Sequence, residues 1–431
     1  MTPEMNASEI ERLGSKLIRR VVLPIALLSC VNAIDRMNVS FAAKAMSEDI
    51  GLTPTTFGFG VSAFFVAYLL FQYPHAALLR RIGIRFWLLG TVLLWGAATL
   101  ALSQVTTPRE FYAARFLLGV AEAGVAPGFT FYITRWVPSQ VRARAMAVAL
   151  FSIPFSLVVG GPLCGWLLGT TNPLGLPAWR WMFLMQAVPN FLLAFVAFAY
   201  FRDRVDESPW LNDRERELLL KSQPIATKAA QPRVAELLSD WRIFRCALTW
   251  LLIMTGSYAM VFWLPQLVRP MGTSEFQIGL LSSLPQAALA AGLLVNGWHS
   301  DRTNERQWHT AAGAAIGGIA LMAGALLPPG WAALTLLTIA GAGMGAAQGV
   351  FWTLPAALGI GQGRVPVGVI AFISMAGTAG GIIGPTLIGW IKQSTGSFVP
   401  ALMLLATMLI AAMFVIAPLR FMRSRASEAV P

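Results

Sequence analysis

Gly161-Pro162-Leu163-Cys164-Gly165-Trp166 and Gly384-Pro385-Thr386-Leu387-Ile388-Gly389-Trp390 are two forms of one phrase, each set inside a long apolar run. Pro162 and Pro385 stand 223 residues apart. A second pair of landmarks has nearly the same offset. Arg80-Arg81-Ile82-Gly83-Ile84-Arg85 and Gly297-Trp298-His299-Ser300-Asp301-Arg302-Thr303-Asn304-Glu305-Arg306 place Arg81 and Arg302 221 residues apart. Two unlike landmarks with matching offsets argue for a duplicated unit, an arrangement common in transporters.

The runs around these landmarks set the fold class. The chain has 431 residues, 56% hydrophobic and 12% charged, with mean hydropathy +0.64. Soluble domains are about one quarter charged, so this composition excludes a soluble enzyme, a disordered chain and a disulfide-rich module. Cys30, Cys164 and Cys246 all fall in or beside apolar runs, which predicts neither a disulfide framework nor a metal site. A spanning helix needs about 20 mostly apolar residues. Twelve such stretches are predicted, near 21–43, 57–79, 87–105, 110–134, 145–169, 181–201, 244–267, 277–296, 310–327, 332–357, 365–391 and 398–419. The fold class is an all-α membrane protein with twelve transmembrane helices in two six-helix halves, 1–201 and 244–431, joined by a polar linker at 202–243. The first span is too long, and its approach too polar, for a cleavable signal peptide.

Twelve spans put both termini on one side. Of the 32 Lys and Arg residues, 25 fall on that side, five on the other, and two, Arg36 and Arg115, inside spans. The bias predicts cytoplasmic termini and a bacterial plasma-membrane location. It also accounts for the net charge of +12 without a nucleic-acid partner.

Only four charges resist that topological explanation. Asp35 and Arg36 lie within the first span, Arg115 and Glu122 within the fourth. A charge at the bilayer centre costs a few kcal/mol even on the gentlest scale, so such groups should face a cavity or each other. Seven residues separate Arg115 from Glu122, two helical turns, so they share a face. At 1.5 Å per residue Asp35 lies roughly 21 Å from the inner end of its span, Glu122 roughly 18 Å and Arg115 roughly 28 Å. The Asp35–Arg36 pair is therefore predicted at a depth between the two charges of span four. Guanidinium forks match carboxylates bidentately, so Arg36 and Arg115 suit an organic anion. Asp35 and Glu122 suit a coupling proton, because burial and nearby arginines push a carboxyl in opposite directions.

Several stretches resemble a known family. The loop after span eight is similar to the G-x-x-x-D-R-x-x-x-R signature of the major facilitator superfamily, whereas the loop after span two has Arg80 where that signature carries its acid. Ile34-Asp35-Arg36-Met37-Asn38-Val39-Ser40, Arg115-Phe116-Leu117-Leu118-Gly119-Val120-Ala121-Glu122-Ala123-Gly124 and Phe262-Trp263-Leu264-Pro265-Gln266 resemble its anion:cation symporter family. His299-Ser300-Asp301-Arg302-Thr303 and Gly389-Trp390-Ile391-Lys392 look most like the tartrate, phthalate and hydroxyphenylacetate permease branch. The resemblance implies a proton-coupled symporter of a small organic anion, with Arg36 and Arg115 on the anion. It implies Glu122 as principal proton site and Asp35 as a partner that exchanges bonds with the arginines. It also implies gating contacts by Arg81, Arg85, Asp301, Arg302 and Arg306, asymmetric because of Arg80.

Further substrate contacts are expected from Tyr68 and Gln72, which share a face at i, i+4. In the second half they are expected from Tyr258, Gln286, Trp352, Ser374 and Thr378. Ser374 and Thr378 stand where the resemblance leads one to expect asparagines, a departure that favours a less hydroxylated, even aromatic, acid. Helix packing is the competing reading for each of these residues. No cofactor or metal is expected, the partners are the anion, the proton and the bilayer, and a monomer suffices. His75, His299 and His309 sit at inner span ends and receive no relay role. Two other classes remain to be weighed. A drug exporter is suggested by Gly161-Pro162-Leu163-Cys164-Gly165, although Trp166 breaks that motif. A membrane enzyme finds no nucleophile elbow or phosphate loop. The charges of the linker, Arg214-Glu215-Arg216-Glu217 among them, are predicted to be solvated.

Overall fold

The computed structural model describes residues 7–222, 240–272, 274–360 and 365–417. Pro224 and Pro232 of the linker, Arg364, and the tail residues Arg420, Arg423 and Arg425 lie outside the described residues. Among the described residues every regular element is helical. Ten helical segments are long and apolar enough to cross a membrane. One of them, Pro54–Gln104, is two helices that meet at Gly83, whose φ of 77° is a backbone shape other residues rarely adopt. Gln307–Ala325 is a further helix, rich in glycine and alanine, whose polar first turn lowers its average hydropathy. These make the twelve spans.

We number them α1 (Glu11–Ile50), α2 and α3 (54–82 and 84–104), α4 (Pro108–Trp136), α5 (Ser139–Gly169), α6 (Ala178–Tyr200), α7 (Trp241–Met271), α8 (Glu275–Thr303), α9 (Gln307–Ala325), α10 (Trp331–Phe351), α11 (Val367–Thr395) and α12 (Val399–Ile416). Local chemistry marks their starts. Thr53 and Thr56 form a capping box around Pro54, Ser274 accepts from the Gln277 amide, and Asp240 accepts from the Arg242 amide. Helix begins well before residue 21, the expected start of the first span. The polar residues of 7–20 stay helical because Leu13 and Leu17 are buried on one side while the charges face out. The linker charges also differ from expectation. Helix Asp213–Ser222 is tied to this first helix by Lys16–Glu215 at 2.6 Å and Arg214–Glu9 at 3.0 Å, so several of them are paired.

The Gly-Pro landmarks lie where the two halves meet. In lipid, apolar side chains gain little by leaving the tails, so helices associate through close backbone packing at small residues. Gly161 and Gly279 abut each other's backbones across α5 and α8, and Gly58 of α2 abuts the Pro385 carbonyl of α11. Gly58 and Gly279 are 221 residues apart, the repeat offset again, so the two contacts are symmetry mates. Among the described residues, the hydrogen bonds that cross between the halves all lie at the end away from the termini. Ser62 donates to the Ile382 carbonyl at 2.6 Å and meets Thr386 Oγ1 at 2.6 Å, and the Thr55 amide donates to Gln393 at 3.2 Å. The halves are closed at that end.

The five expected gating residues bond only within their own halves in this closure. Arg85 donates to the Phe198 carbonyl at 3.1 Å and stacks on its ring. Arg306 pairs with Asp301 at 2.6 Å, Arg302 lies over Trp298, and Arg81 is exposed. The acid missing at Arg80 is supplied from elsewhere. Asp203, just beyond α6, accepts from the Ile84 amide at 2.5 Å and the Arg85 amide at 3.4 Å, and a side chain at Gly83 would collide with it. Asp203 therefore caps α3. Asp203→Ala is expected to lower unfolding stability by about 1 kcal/mol, the usual cost of a lost cap. Thermal unfolding of the purified variant measures it, and an unchanged midpoint refutes the cap.

Candidate anion and proton site

Asp35 and Arg36 are neighbours on one helix, so their side chains leave the axis about 100° apart. The structure uses that divergence. Arg36 turns toward α4, where Nε donates to Glu122 Oε2 at 3.1 Å and Nη2 reaches the same oxygen at 3.0 Å. Nη2 also donates to Asn32 Oδ1 at 3.2 Å, one turn back on α1. Asp35 turns the other way. Its Oδ2 accepts from Trp95 Nε1 of α3 at 2.7 Å and from Asn190 Nδ2 of α6 at 2.6 Å. In this state Asp35 is bonded to two neutral donors and to neither arginine.

Arg115 is completely buried, as is Glu122. The Arg115 guanidinium has one hydrogen bond, Nη1 to the Arg36 carbonyl at 3.5 Å, while Nε and Nη2 have no partner among the described residues. Glu122 Oε1 is also buried and unpartnered. A buried donor or acceptor without a partner costs about 1–3 kcal/mol, more when charged. Phe64 of α2 lies beside both cations, its ring 5.2 Å from the Arg36 guanidinium and 4.9 Å from that of Arg115. Tyr68, stacked on Phe64, is 5.0 Å from Arg36. Of the four charged residues only Arg36 retains sizeable side-chain exposure, 23%. The arrangement is two guanidiniums around an aromatic ring, one held by a carboxylate and one with free donors. Such a site can accept a carboxylate without dismantling the fold.

The second half contributes less. The Tyr258 phenol lies within electrostatic reach of Arg36, and its ring is 4.6 Å from Phe65 of α2. Gln286 is buried on α8 with Oε1 unpartnered. Gln72 is half-buried. Thr378 donates to the Ser374 carbonyl of its own helix at 3.1 Å. Trp352 does not reach the arginines' level. It follows the last residue of α10, at the end of the fold nearer the termini, and packs on Trp250 at 5.0 Å.

The Major Facilitator Superfamily model matches residues 25–364. The chain belongs to the major facilitator superfamily. A protein named as a tartrate transporter from Agrobacterium vitis is 34% identical over 94% of this chain and 94% of its own length. A quinolone resistance transporter of Acinetobacter baumannii is 33% identical over 91% of each chain. A bacterial homologue of the human lysosomal transporter Spinster, solved in an inward-facing and occupied conformation, superposes with a TM-score of 0.73 at 17% identity, covering 95% of this chain and 97% of that one. As a member of this superfamily the chain is a membrane transporter and not an enzyme, and a small molecule is its cargo.

Within this facilitator fold, residues not singled out from sequence hold the site in place. Asn32 is one turn from Arg36, and Asn190 is an amide in an apolar span that bonds Asp35, both discoverable as polar groups at membrane depth. Phe64 and Trp95 carry no such signal, since the chain has 26 Phe and 15 Trp.

Proposed function

We propose that this transporter is a proton-coupled symporter that imports a small organic anion, a dicarboxylate, aromatic acid or sugar acid, by alternating access. Arg36 and Arg115 bind the carboxylate, Glu122 is the principal proton site and Asp35 a second one. The observation that carries this reading is the Arg115 guanidinium, buried with two unpartnered donors beside an arginine that a carboxylate already holds.

Charge balance supplies the coupling. Arg36, Arg115, Asp35 and Glu122 are formally neutral together, and low dielectric makes any net charge there costly. A monoanion arriving with one proton on Glu122, or a dianion arriving with a second on Asp35, keeps the sum at zero. Protonated Glu122 releases Arg36 to the anion, and deprotonated Glu122 reclaims it. Proton and anion therefore strengthen each other's binding by the same factor. Tyr68, Gln72, Tyr258 and Gln286 line the anion's approach in this reading, and Ser374, Thr378 and Trp352 stand nearer the inner mouth. The termini are cytoplasmic in the plasma membrane, which makes the closed end the outer one. Rocking of a single monomer's halves exchanges access, with Arg81, Arg85, Asp301, Arg302 and Arg306 closing the inner end in the opposite state.

Labelled tartrate, phthalate and 4-hydroxyphenylacetate in proteoliposomes test this. An inward proton gradient is expected to drive accumulation by the natural chain. Glu122→Gln, fixed as if protonated, is expected to abolish accumulation and keep counterflow. Accumulation by Glu122→Gln against a gradient would remove Glu122 from the proton's path. The likeness to a quinolone resistance transporter favours a second reading, proton-driven export of drugs. Gly161 and Gly165, part of the motif that suggests it, are occupied in packing on α8. Proton-driven loss of a quinolone from loaded vesicles, with no carboxylate uptake, would favour export.

A further inference from the structure

The periphery of the first half, at the end nearer the termini, carries two adjoining hollows of opposite character. The first, about 610 Å³, is lined by Glu11, Arg12, Ser15, Lys16, Arg19 and Arg20 on the polar side of α1. The second, about 360 Å³, runs down the membrane face between α1 and α6 past Leu23, Leu27, Leu193, Val196 and Tyr200. Arg19 lines both and stands at their junction. The backbone there is a π turn, Ile18–Val22, and the Tyr200 hydroxyl donates to the Arg20 carbonyl at 3.0 Å, which fixes the turn against α6. Wide turns of this kind often mark functional sites. Lys16 is paired with Glu215, but Arg12, Arg19 and Arg20 form no ion pair among the described residues.

An occupant must satisfy both hollows at once. The apolar groove opens to the bilayer and suits an acyl chain, while the three unpaired arginines at its head suit a phosphate. Among the lining residues Glu11 is the one acid, and the balance stays positive. We propose that this is a binding site for an anionic phospholipid of the leaflet on the side of the termini, headgroup phosphate against Arg19 with Arg12 and Arg20, acyl chain along Leu23 and Leu27. Clusters of basic residues at a membrane surface attract anionic lipid, and the groove adds a fixed position to that general attraction.

Native mass spectrometry of the detergent-purified full chain, with phosphatidylglycerol or phosphatidylcholine of identical acyl chains, tests it. Phosphatidylglycerol is expected to be retained at least about tenfold better. Arg12→Gln/Arg19→Gln/Arg20→Gln, all at exposed positions, is expected to erase that preference, and Leu27→Trp, which fills the groove, to lower retention of both lipids. Glycerol 3-phosphate at the same concentration is expected to leave the lipid bound. Equal retention of the two lipids, a preference that survives the triple substitution, or displacement by glycerol 3-phosphate would each overturn the site. None of these residues belongs to the transport site, so the outcome is independent of the anion and proton assignments.

Discussion

Arg115→Lys is expected to weaken organic-anion binding by about a hundredfold or more and to reduce uptake to near background. The substitution keeps the charge, so the loss isolates geometry. A guanidinium offers a planar fork that grips a carboxylate through two parallel bonds, whereas an ammonium is a point charge that must be solvated from every side. Arg115 is wholly buried, beside the Phe64 ring and with Nε and Nη2 awaiting an acceptor. Losing a buried, hydrogen-bonded charge interaction costs about 3–5 kcal/mol, and each 1.4 kcal/mol is a factor of ten. Arg115→Gln goes further by leaving the site one charge more negative, which opposes anion entry. Counterflow at a series of substrate concentrations measures the affinity, with size-exclusion profiles confirming that each variant is folded. Arg115→Lys within threefold of the natural affinity would remove Arg115 from the anion site.

Gly279→Leu is expected to hold the outer seam open and to cut transport at least about tenfold while anion binding persists. Gly279 and Gly161 press backbone on backbone between α5 and α8, and any side chain there meets the opposite carbonyl. Overpacking a tight contact costs about 1–3 kcal/mol for small additions, and a leucine adds more, enough to depopulate a closed state balanced within a few kcal/mol. The symmetry mate makes the same demand, so Gly58→Leu against Pro385 is expected to reproduce the phenotype. Ser62 is buried at this seam. In a background lacking Cys30, Cys164 and Cys246, Ser62→Cys is expected to resist a membrane-impermeant maleimide, and to react once Gly279→Leu is added. Natural transport rates in Gly279→Leu would show that seam closure is no part of the cycle.

The legible features and the hidden ones divide on physical grounds. Hydropathy finds long apolar runs whatever they face, so all twelve spans are legible, α9 least strongly because that helix opens on Gln307, His309 and Thr310. The Gly-Pro landmarks are readable because close helix contact allows few residue types, and the structure places them at the seam. Depth arithmetic along α1 and α4 puts the Asp35–Arg36 pair between Glu122 and Arg115, and Arg36 meets both, Glu122 at 3.0 Å and Arg115 through its own carbonyl at 3.5 Å. The partners of Asp35 are not legible in sequence, since a helix sends adjacent side chains to different neighbours. Those partners come from α3 and α6, and only packing decides which faces meet. Asp203 was hidden for the same reason, since it serves a loop more than 100 residues earlier in the chain.

Lumenal pH in dye-loaded proteoliposomes, recorded while an organic anion is added outside without any imposed gradient, bears most directly on a site shared by anion and proton. The natural chain is expected to acidify the lumen in step with uptake, and Glu122→Gln to exchange the anion with no pH change. Anion uptake by the natural chain at constant lumenal pH would contradict a shared site.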